Sequence, residues 1–561
     1  MEMRASRWDG RLSAAHILLC QGVIATVFVV VARIFLHEPQ VVQMVIGLIF
    51  GATALLFPRL GLCLLVLIAP IQGLWGATRQ DMPLLFGLVL VAVNLRHLAD
   101  WRHLALAVRR GSIPLPLPLQ ILGAFIVWYL LRGVLALPDM PDQQVQFVLR
   151  EAVFLILVFG ASLAAFRQCA ADNGDTLRQG LLGTVGLALM LTLLVDVPSV
   201  YFPVLSRHLA LQPEWAGIRL AGLHSNPNAT AKFLMAGECF GLAILWGLLG
   251  KSWNVGRRWG AVVLVLAVVC VCSVALGGTL SKSGLLGGVA APLVAALAFW
   301  RGRLRMAAGV AVLSSCVVAV SALGFDALLA NGLTLAVQEN FLRAEHAAPP
   351  PVQPKEKPAA PKRSLADKIE QQLRVGHSNE MKIKKENPDA PPVKHSEIYR
   401  NIDGTIEYKK SDCQGLGCTG QRNRLWKTGL AVWRDNWALG IGPGAWAGEF
   451  MKREGFPFDT PHNVVIEIGG GFGLVGLALY GALIFSLIRA LRPEFMAPAS
   501  NCTDTVLGQG TLMFAWAILV TECFDPAKLL TMNPHAIWLW VLLGAMAWPG
   551  VVRPNQDKAM G

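Results

Sequence analysis

Charged residues are scarce in this chain: Asp, Glu, Lys and Arg make up 15% of its 561 residues, against 54% that are hydrophobic. The apolar runs between the charges are about twenty residues long, enough to cross a hydrocarbon core of roughly 30 Å as a helix. The alternating pattern of an outer-membrane β-barrel is absent. Because a spanning segment must satisfy its own backbone hydrogen bonds, the sequence predicts an all-α integral membrane protein, a bundle of about 12–14 transmembrane helices.

Signatures of metal or nucleotide chemistry are also missing. The eleven cysteines have no metal-ligand spacing, and most lie in apolar runs, where cysteine behaves as a small hydrophobic residue. The sequence has no phosphate-binding Gly-rich loop, zinc motif or serine nucleophile elbow. It therefore predicts no metal and no other cofactor. Only Cys413 and Cys418 stand in a polar segment, where a disulfide and two free thiols are both open alternatives.

Lysine and arginine concentrate in alternate short connections, as the positive-inside rule describes for cytoplasmic loops. This distribution accounts for much of the net charge of +13 and argues against nucleic acid as a partner. The first apolar run, from Ile17 to Leu36, is too long for the core of a signal peptide, and no cleavage site follows it. It is interpreted as a retained helix, with both chain termini in the cytoplasm. The predicted spans are centred near residues 27, 49, 67, 89, 125, 157, 188, 239, 268, 292, 315, 475, 517 and 542.

These spans divide the chain into three regions. The first and last regions carry transmembrane helices, and the middle region is a large outward loop that carries short helices; they are residues 1–324, 462–561 and 325–461. Two further outward loops are predicted near residues 196–230 and 277–283.

The large loop has two contrasting parts. Residues 347–393 are rich in Pro, Lys and Glu and have almost no large apolar side chain. Such a segment cannot bury enough surface to offset its ordering entropy, so disorder is predicted. Residues 422–437 place Trp426, Trp433 and Trp437 on one face at helical spacing. This pattern predicts a helix that lies in the membrane interface or, equally, one that packs on top of the bundle.

His462 is the strongest candidate for chemistry. It follows Pro461 and precedes Asn463, where a polar loop meets an apolar run. A neutral imidazole can accept a proton from an attacking hydroxyl near pH 7. A single histidine is more often structural than catalytic, so the hypothesis depends on this position and on the cations predicted to share its side of the membrane.

Three cations are predicted on that side: Arg219, Lys282 and Arg422. A clamp of Arg and Lys side chains can hold a diphosphate and stabilise its departing charge without a metal. Simpler alternatives remain open: Arg219 can sit among lipid headgroups, and Lys282 can reach the surface from a membrane helix. Asn228 can belong to a turn and helix cap, and the serines beside Lys282 can cap the helix that follows.

Five short motifs occur in order on the predicted outer side. They are RLAGLHSNPN at 219–228, LSKSG at 280–284, RNRLW at 422–426, GIGPG at 440–444, and HNVVIE at 462–467 with Gly473. Together they make the chain resemble the O-antigen ligase family, bacterial polytopic glycosyltransferases related to O-antigen polymerases and protein O-oligosaccharyltransferases. The resemblance covers residues from about 200 to 490, and the first five spans match only in general character.

The resemblance implies transfer of a glycan from undecaprenyl diphosphate to an acceptor sugar hydroxyl, at the periplasmic face of a bacterial inner membrane. Lipid A-core is the expected acceptor, membrane lipids are further partners, and the transfer would be inverting and independent of a metal. The large loop would be periplasmic. His462 would be the catalytic residue. The diphosphate would be bound by Arg219, Lys282 and Arg422. Supporting roles would fall to Asn228, Asn463, Trp426 and Glu467.

The chain departs from the family pattern at two positions. Lys282 stands where the family usually has arginine, and lysine keeps the charge but loses the bidentate geometry of a guanidinium. Gly471 stands where an acidic residue is common, although Glu467 remains. The segment 347–393 is also longer than the family leads one to expect.

Other functions remain open. A surface polysaccharide or O-antigen polymerase and a protein O-oligosaccharyltransferase differ from a ligase in their acceptor, which no residue of the sequence identifies. A membrane transporter would need charged or interrupted helices near the middle of the bilayer. The predicted spans are almost free of acidic residues, with Glu238 and Glu467 as the main exceptions, and no pair of interrupted spans is visible. The sequence therefore favours an enzyme at the membrane interface.

Overall fold

A computed structural model of the chain describes residues 13, 16–17, 19–23, 39–71, 87–98, 115–136, 142–171, 175–201, 227–250, 255–301, 305–330, 398–400, 406–408, 420–454, 460–490, 502–524 and 534–546. Some of the predictions fall on other residues and lie outside this description. They concern the span near residue 27, Arg219, the segment 347–393, and Cys413 with Cys418.

Helices make up nearly all of the described residues. They are α1 (Pro39–Leu56), α2 (Pro58–Ile71), α3 (Gly87–Leu98), α4 (Leu117–Ala136), α5 (Asp142–Ala171), α6 (Asp175–Tyr201), α7 (Pro227–Gly250), α8 (Val255–Gly278), α9 (Lys282–Arg301), α10 (Arg305–Ala330), α11 (Gly420–Asp435), α12 (Trp446–Glu454), α13 (Val464–Ala490), α14 (Cys502–Glu522) and α15 (Pro534–Ala545). Two short strands, β1 (Ile398–Arg400) and β2 (Ile406–Tyr408), pair antiparallel.

The chain divides into two compact units. The first combines Met1–Leu335 with Thr419–Gly561 and contains the helices described above. The second, Ala336–Cys418, contains the hairpin of β1 and β2, in which Tyr399 pairs with Glu407.

Eight of the described helices are long and apolar enough to cross a membrane. They are Leu117–Ala136, Val145–Cys169, Asp175–Leu193, Asn228–Leu248, Trp259–Gly278, Ala308–Phe325, Val464–Arg489 and Thr503–Glu522. Shorter apolar helices cover Met44–Leu56, Pro58–Ala69, Gly87–Leu98, Lys282–Val294 and Ala536–Ala545. The two sets include every predicted centre except the one near residue 27. The expected helical membrane fold is thereby confirmed for the described residues, whereas the side on which the large loop lies stays a prediction.

Glycines allow α9 to pack closely between α7 and α14. A Cβ at Gly287 would lie 2.6 Å from the Sδ of Met235 on α7 and 2.6 Å from the Cγ2 of Thr521 on α14. Gly284, one turn earlier, faces Ala231 of α7 in the same way. Small residues matter here because helices in a membrane associate by van der Waals packing rather than by the burial of apolar surface from water.

A buried ion pair joins helix ends at the start of α14. The guanidinium of Arg178, near the start of α6, lies 3.0 Å from the carboxylate of Asp504. It also donates to the carbonyl oxygens of Ala545 at 3.0 Å and Cys169 at 3.4 Å, near the ends of α15 and α5. Carbonyls in the last turn of a helix have no partner within it, so this side chain satisfies two of them while it neutralises a buried charge.

α13 is not one straight helix. Gly473 has φ 66° and ψ −159°, a conformation that only glycine adopts without strain. A Cβ at Gly476 would lie 3.2 Å from the Cγ2 of Ile468, whereas residues eight apart in a straight helix are separated by about 12 Å. The chain therefore folds back at Gly473, between a first half of α13 (464–472) and a second half (474–490). The span predicted near residue 475 falls on this helix, and the break at Gly473 is a feature that the apolar run does not indicate.

The turn between α11 and α12 supplies hydrogen-bond partners for the break. The N–H groups of Ile441 and Gly442 donate to the carbonyls of Gly470 and Gly471, at 2.8 and 2.9 Å. In return, the N–H of Leu474 donates to the carbonyl of Ala438 at 3.1 Å. Backbone that leaves a helix in a membrane protein needs such partners, because hydrocarbon offers none.

Candidate functional site

His462 stands immediately before α13 and has a left-handed backbone, with φ 54°. Two contacts fix its main chain: its N–H donates to the hydroxyl of Thr460 at 3.1 Å, and its carbonyl accepts from the indole of Trp426 at 3.4 Å. The residue is half-buried. Because few L-residues adopt a left-handed conformation, these contacts are needed to hold the imidazole in this place.

Asn463 connects the start of α13 to the end of α14. Its Oδ1 accepts from the N–H of Ile466 at 3.1 Å, the geometry of a helix N-cap. Its Nδ2 donates to the carbonyl of Cys523 at 2.8 Å. The N–H of Glu467, a buried residue one turn into the helix, donates to the carbonyl of Asn463 at 2.8 Å. Asn463 thus fixes the position from which His462 projects.

Lys282 is the first residue of α9 and is half-buried. The preceding Ser281 caps this helix, because its Oγ accepts from the N–H of Gly284 at 3.2 Å. The same hydroxyl donates to the Oδ1 of Asn228 at 2.7 Å, on the first turn of α7. Asn228 therefore connects the start of α7 to the start of α9. The simpler alternative, a turn and helix cap, did not include this contact.

The end of α14 contacts both the surroundings of His462 and the surroundings of Lys282. Thr521 contacts α9 at Gly287, Cys523 accepts the amide of Asn463, and the ring of Phe524 lies 6.0 Å from the ring of Trp426. The starts of α7, α9 and α13 therefore gather at the end of α14. We call this arrangement the α14 junction. It brings together the surroundings of Lys282, Asn228, Asn463 and His462, and no described contact places Arg219, which lies outside the described residues.

α11 covers the start of α13. Leu425 and Val432 are buried in a cluster with Trp446, Phe450 and Ile466. A Cβ at Gly429, between the two on the same face, would lie 2.6 Å from the Cγ2 of Ile466. These contacts pack α11 on the start of α13, and its position in the membrane interface stays a prediction.

The tryptophan face of α11 needs a correction. Trp437 lies beyond the end of the helix with 61% of its surface exposed. It therefore does not share a helical face with Trp426 and Trp433, because the helix ends at Asp435. Arg422 is half-buried one turn before Trp426, on the side of the helix that reaches the main chain of His462.

α4 holds the break in α13 from the other side. The indole of Trp128 donates to the carbonyl of Phe472 at 3.0 Å, and the guanidinium of Arg132 donates to the carbonyl of Gly440 at 2.7 Å. The rings of Phe125 and Tyr129 lie 5.2 and 5.6 Å from the ring of Phe472. Sequence reasoning missed these residues, because they sit in a span that contains none of the five motifs.

Charged groups surround α11 and α12. Glu454 accepts hydrogen bonds from Arg424 and from the hydroxyl of Thr428. The guanidinium of Arg453 lies 3.0 Å from the carboxylate of Asp435, and its hydrogen bond lowers the pKa of that carboxyl. Charged side chains of α11 and α12 are thus paired with one another, beside the apolar helices of the bundle.

Cys523 is exposed at the junction, and its thiol has a raised pKa. Burial, and after it the nearby carboxylate of Glu522, raises the pKa of its thiol above the ordinary value. Both effects disfavour the charged thiolate. The thiol donates to the carbonyl of Leu519 at 3.6 Å. Its carbonyl oxygen, which holds Asn463, is therefore the group through which this residue serves the junction.

Two charged residues at the junction were also missed. Lys232 and Glu522 lie inside apolar runs and are fully buried. A charged residue within an apolar run is the signal that could have identified them. Among the described residues, no group of three or more His, Cys, Asp or Glu side chains has the proximity needed to hold a metal ion.

Comparison with models of known protein families gives no match to the chain, and comparison with curated protein sequences gives none either.

Proposed function

We propose that the protein is a glycosyltransferase that moves a glycan from undecaprenyl diphosphate to a sugar hydroxyl at the periplasmic face of the bacterial inner membrane, with lipid A-core as the acceptor. The α14 junction carries the proposal, because it joins the segments of Lys282 and His462, which are 180 residues apart in the sequence. The five motifs resemble those of the O-antigen ligase family, and this resemblance suggests a glycan on undecaprenyl diphosphate as the donor.

The junction suits an anionic ligand. Helices α7, α9 and α13 all begin there, and the backbone N–H groups and dipole of a helix start carry partial positive charge. Lys282 adds a full charge at one of these starts, and Arg219 and Arg422 are proposed to add two more. Such an arrangement favours a diphosphate and stabilises it as a leaving group.

The proposed reaction is a single displacement. The acceptor hydroxyl oxygen attacks the anomeric carbon of the glycan while the bond between that carbon and the diphosphate oxygen breaks. The bonding electrons leave with undecaprenyl diphosphate, whose charge is stabilised by the cations. The hydroxyl proton passes to the imidazole of His462. Attack opposite the leaving group inverts the anomeric configuration.

The left-handed backbone of His462 decides which variant tests this role. Asparagine tolerates that conformation better than alanine does, so His462→Asn removes the imidazole with little disturbance of the main chain. We expect transfer by the purified variant to fall by about a hundredfold or more, with unchanged elution from a sizing column. Full transfer by His462→Asn would refute the catalytic role.

Lys282→Ala tests the diphosphate contact. We expect a weaker apparent affinity for the donor, because a charge-assisted contact is lost. Lys452→Ala is the matched control, since Lys452 is exposed and pairs with Glu449 on α12. Equal effects of the two variants would remove Lys282 from the site.

The acceptor needs a separate assay. Purified protein would receive a defined undecaprenyl-diphosphate glycan and, in parallel, lipid A-core, a second lipid-linked glycan or an acceptor peptide, with a chelator present. Product on lipid A-core alone supports the ligase. Product on lipid-linked glycan or peptide would identify a polymerase or a protein O-oligosaccharyltransferase instead.

A transporter is the second candidate, favoured by two observations. α13 is interrupted at Gly473, as helices of many transporters are. Glu238 is fully buried in the middle of α7 and accepts hydrogen bonds from Ser273, at 2.9 Å, and from Ser314, and a carboxyl at that depth is often part of an ion path. Solute uptake by proteoliposomes that lack lipid-linked glycan would support transport over transfer.

A further inference from the structure

Two opposite charges are buried in the same part of the molecule. Lys232 of α7 and Glu522 of α14 each have 0% of their surface exposed. An isolated charge in such surroundings is strongly unfavourable, so each requires compensation from its neighbours. Buried charges elsewhere in the bundle are compensated by neighbouring groups: Arg178 pairs with Asp504, and Glu238 accepts two serine hydroxyls.

The packing around Gly287 places these two residues in one layer. A Cβ at Gly287 would meet both Met235 of α7 and Thr521 of α14 at 2.6 Å. Met235 and Thr521 therefore lie close to each other, at the same level of the bundle. Lys232 is one helical turn from Met235 toward the start of α7, and Glu522 follows Thr521 at the end of α14. Both charges therefore lie on the junction side of this contact.

Each residue also adjoins a part of the candidate site. Lys232 is one turn from Asn228, which accepts the hydroxyl of Ser281 next to Lys282. Glu522 precedes Cys523, which holds Asn463 beside His462. Its carboxylate is close enough to Cys523 to raise the pKa of that thiol.

We propose that Lys232 and Glu522 form a buried ion pair beneath the α14 junction and that this pair sets the affinity of the site for an anionic group. The ligand chemistry is that of a diphosphate, and this part of the inference rests on the proposed function. The pair is neutral as a whole. A change in either member therefore leaves one net charge in a region of low dielectric constant, where it acts on a nearby anion without touching it.

The pair is tested by thermal unfolding of the full-length protein in detergent. Lys232→Met and Glu522→Gln should each lower the Tm, since each leaves one buried charge uncompensated. The double variant should recover most of the loss, because both charges are gone. Glu467→Gln, which neutralises another buried carboxylate near the junction, is the matched control and should show no coupling to Lys232→Met. Additive losses in the double variant, or coupling to Glu467 instead, would overturn the pair.

The effect on the site is tested by binding of inorganic pyrophosphate and of farnesyl diphosphate in micelles, each measured by calorimetry. Glu522→Gln should bind roughly fivefold more tightly than the wild type, and Lys232→Met roughly fivefold more weakly. The double variant should return close to the wild-type affinity. Binding of both probes assigns the affinity to the diphosphate, and binding of farnesyl diphosphate alone assigns it to the lipid-linked form.

The opposite signs separate this role from a merely structural one. A pair that only held the helices together would weaken binding in both single variants, and that result would overturn the electrostatic role. Absence of binding by the wild type would overturn it together with the proposed function, while the thermal experiment would still decide whether the pair exists.

Discussion

Gly473→Ala should destabilise the protein far more than an ordinary helical glycine substitution. The residue has φ 66° and ψ −159°, where a side chain costs about 1–3 kcal/mol through backbone strain. A Cβ there would also come within 3.0 Å of the carbonyl of Ala438 and of the carbonyl carbon of Leu439. Neither can move aside freely, because the carbonyl of Ala438 accepts the N–H of Leu474. Overpacking of this kind adds about 1–3 kcal/mol.

The same helix offers the matched control. Gly481 has no atom within 4 Å of the position that a Cβ would take. Alanine at an unstrained helical position is more favourable than glycine by about 0.5–1 kcal/mol. Gly481→Ala should therefore leave the stability unchanged or raise it. Gly440→Ala, at φ 72° and against the backbone of Gly471, should behave like Gly473→Ala, because it strains the other side of the break.

The assay is thermal unfolding of purified protein in detergent, followed by tryptophan fluorescence at one fixed scan rate, since membrane proteins often unfold irreversibly. The expected order of Tm is Gly481→Ala at or above the wild type, with Gly473→Ala and Gly440→Ala well below it. A Tm for Gly473→Ala equal to that of Gly481→Ala would refute the folded-back geometry of α13.

Two further predictions test the ends of α14. Arg178→Met should cost about 3–5 kcal/mol of stability, because it leaves Asp504 buried without its counter-charge. The control Arg434→Met, which changes a guanidinium that is 80% exposed, should leave the Tm within error. Equal shifts of the Tm in the two variants would contradict this prediction. The rate at which iodoacetamide alkylates Cys523 should be low at pH 8 and should rise at a higher pH than for a free thiol, because the pKa of the Cys523 thiol is raised. Glu522→Gln should move that rise to lower pH, because it removes a negative charge that disfavours the thiolate. An unchanged pH profile would show that the carboxylate does not act on the thiol.

Much of the fold was predictable from the length of the apolar runs. Runs such as the one in α7 are long enough to span a bilayer and cannot satisfy their backbone in any other way than as helices. The packing of α9 was not predictable to the same degree. Gly284 and Gly287 are obvious in the sequence, but only their meeting with Ala231, Met235 and Thr521 reveals which helices they allow to approach.

The residues of the candidate site stand out one by one in the sequence, but their arrangement does not. His462 and Lys282 are conspicuous because polar residues are rare in this chain, and a helix cap at Ser281 follows from a serine ahead of an apolar run. The groups that hold these residues are less visible. Cys523 acts through its carbonyl, which every residue has, so no side-chain pattern could indicate that it binds Asn463.

The break in α13 is the feature that the sequence predicts least well, and the glycines around it suggest a pattern by which such breaks could be recognised. The run Gly469–Gly473 lies in an apolar segment, and glycine is common in membrane helices, so the run alone does not distinguish a break from a closely packed span. The deciding partner is the turn that contains Gly440, Gly442 and Gly444, all with positive φ. Its N–H groups at Ile441 and Gly442 meet the carbonyls of the glycine run. Two glycine clusters about thirty residues apart, one in a polar turn and one inside an apolar run, therefore indicate close approach of two backbones, because only residues without a Cβ leave room for it.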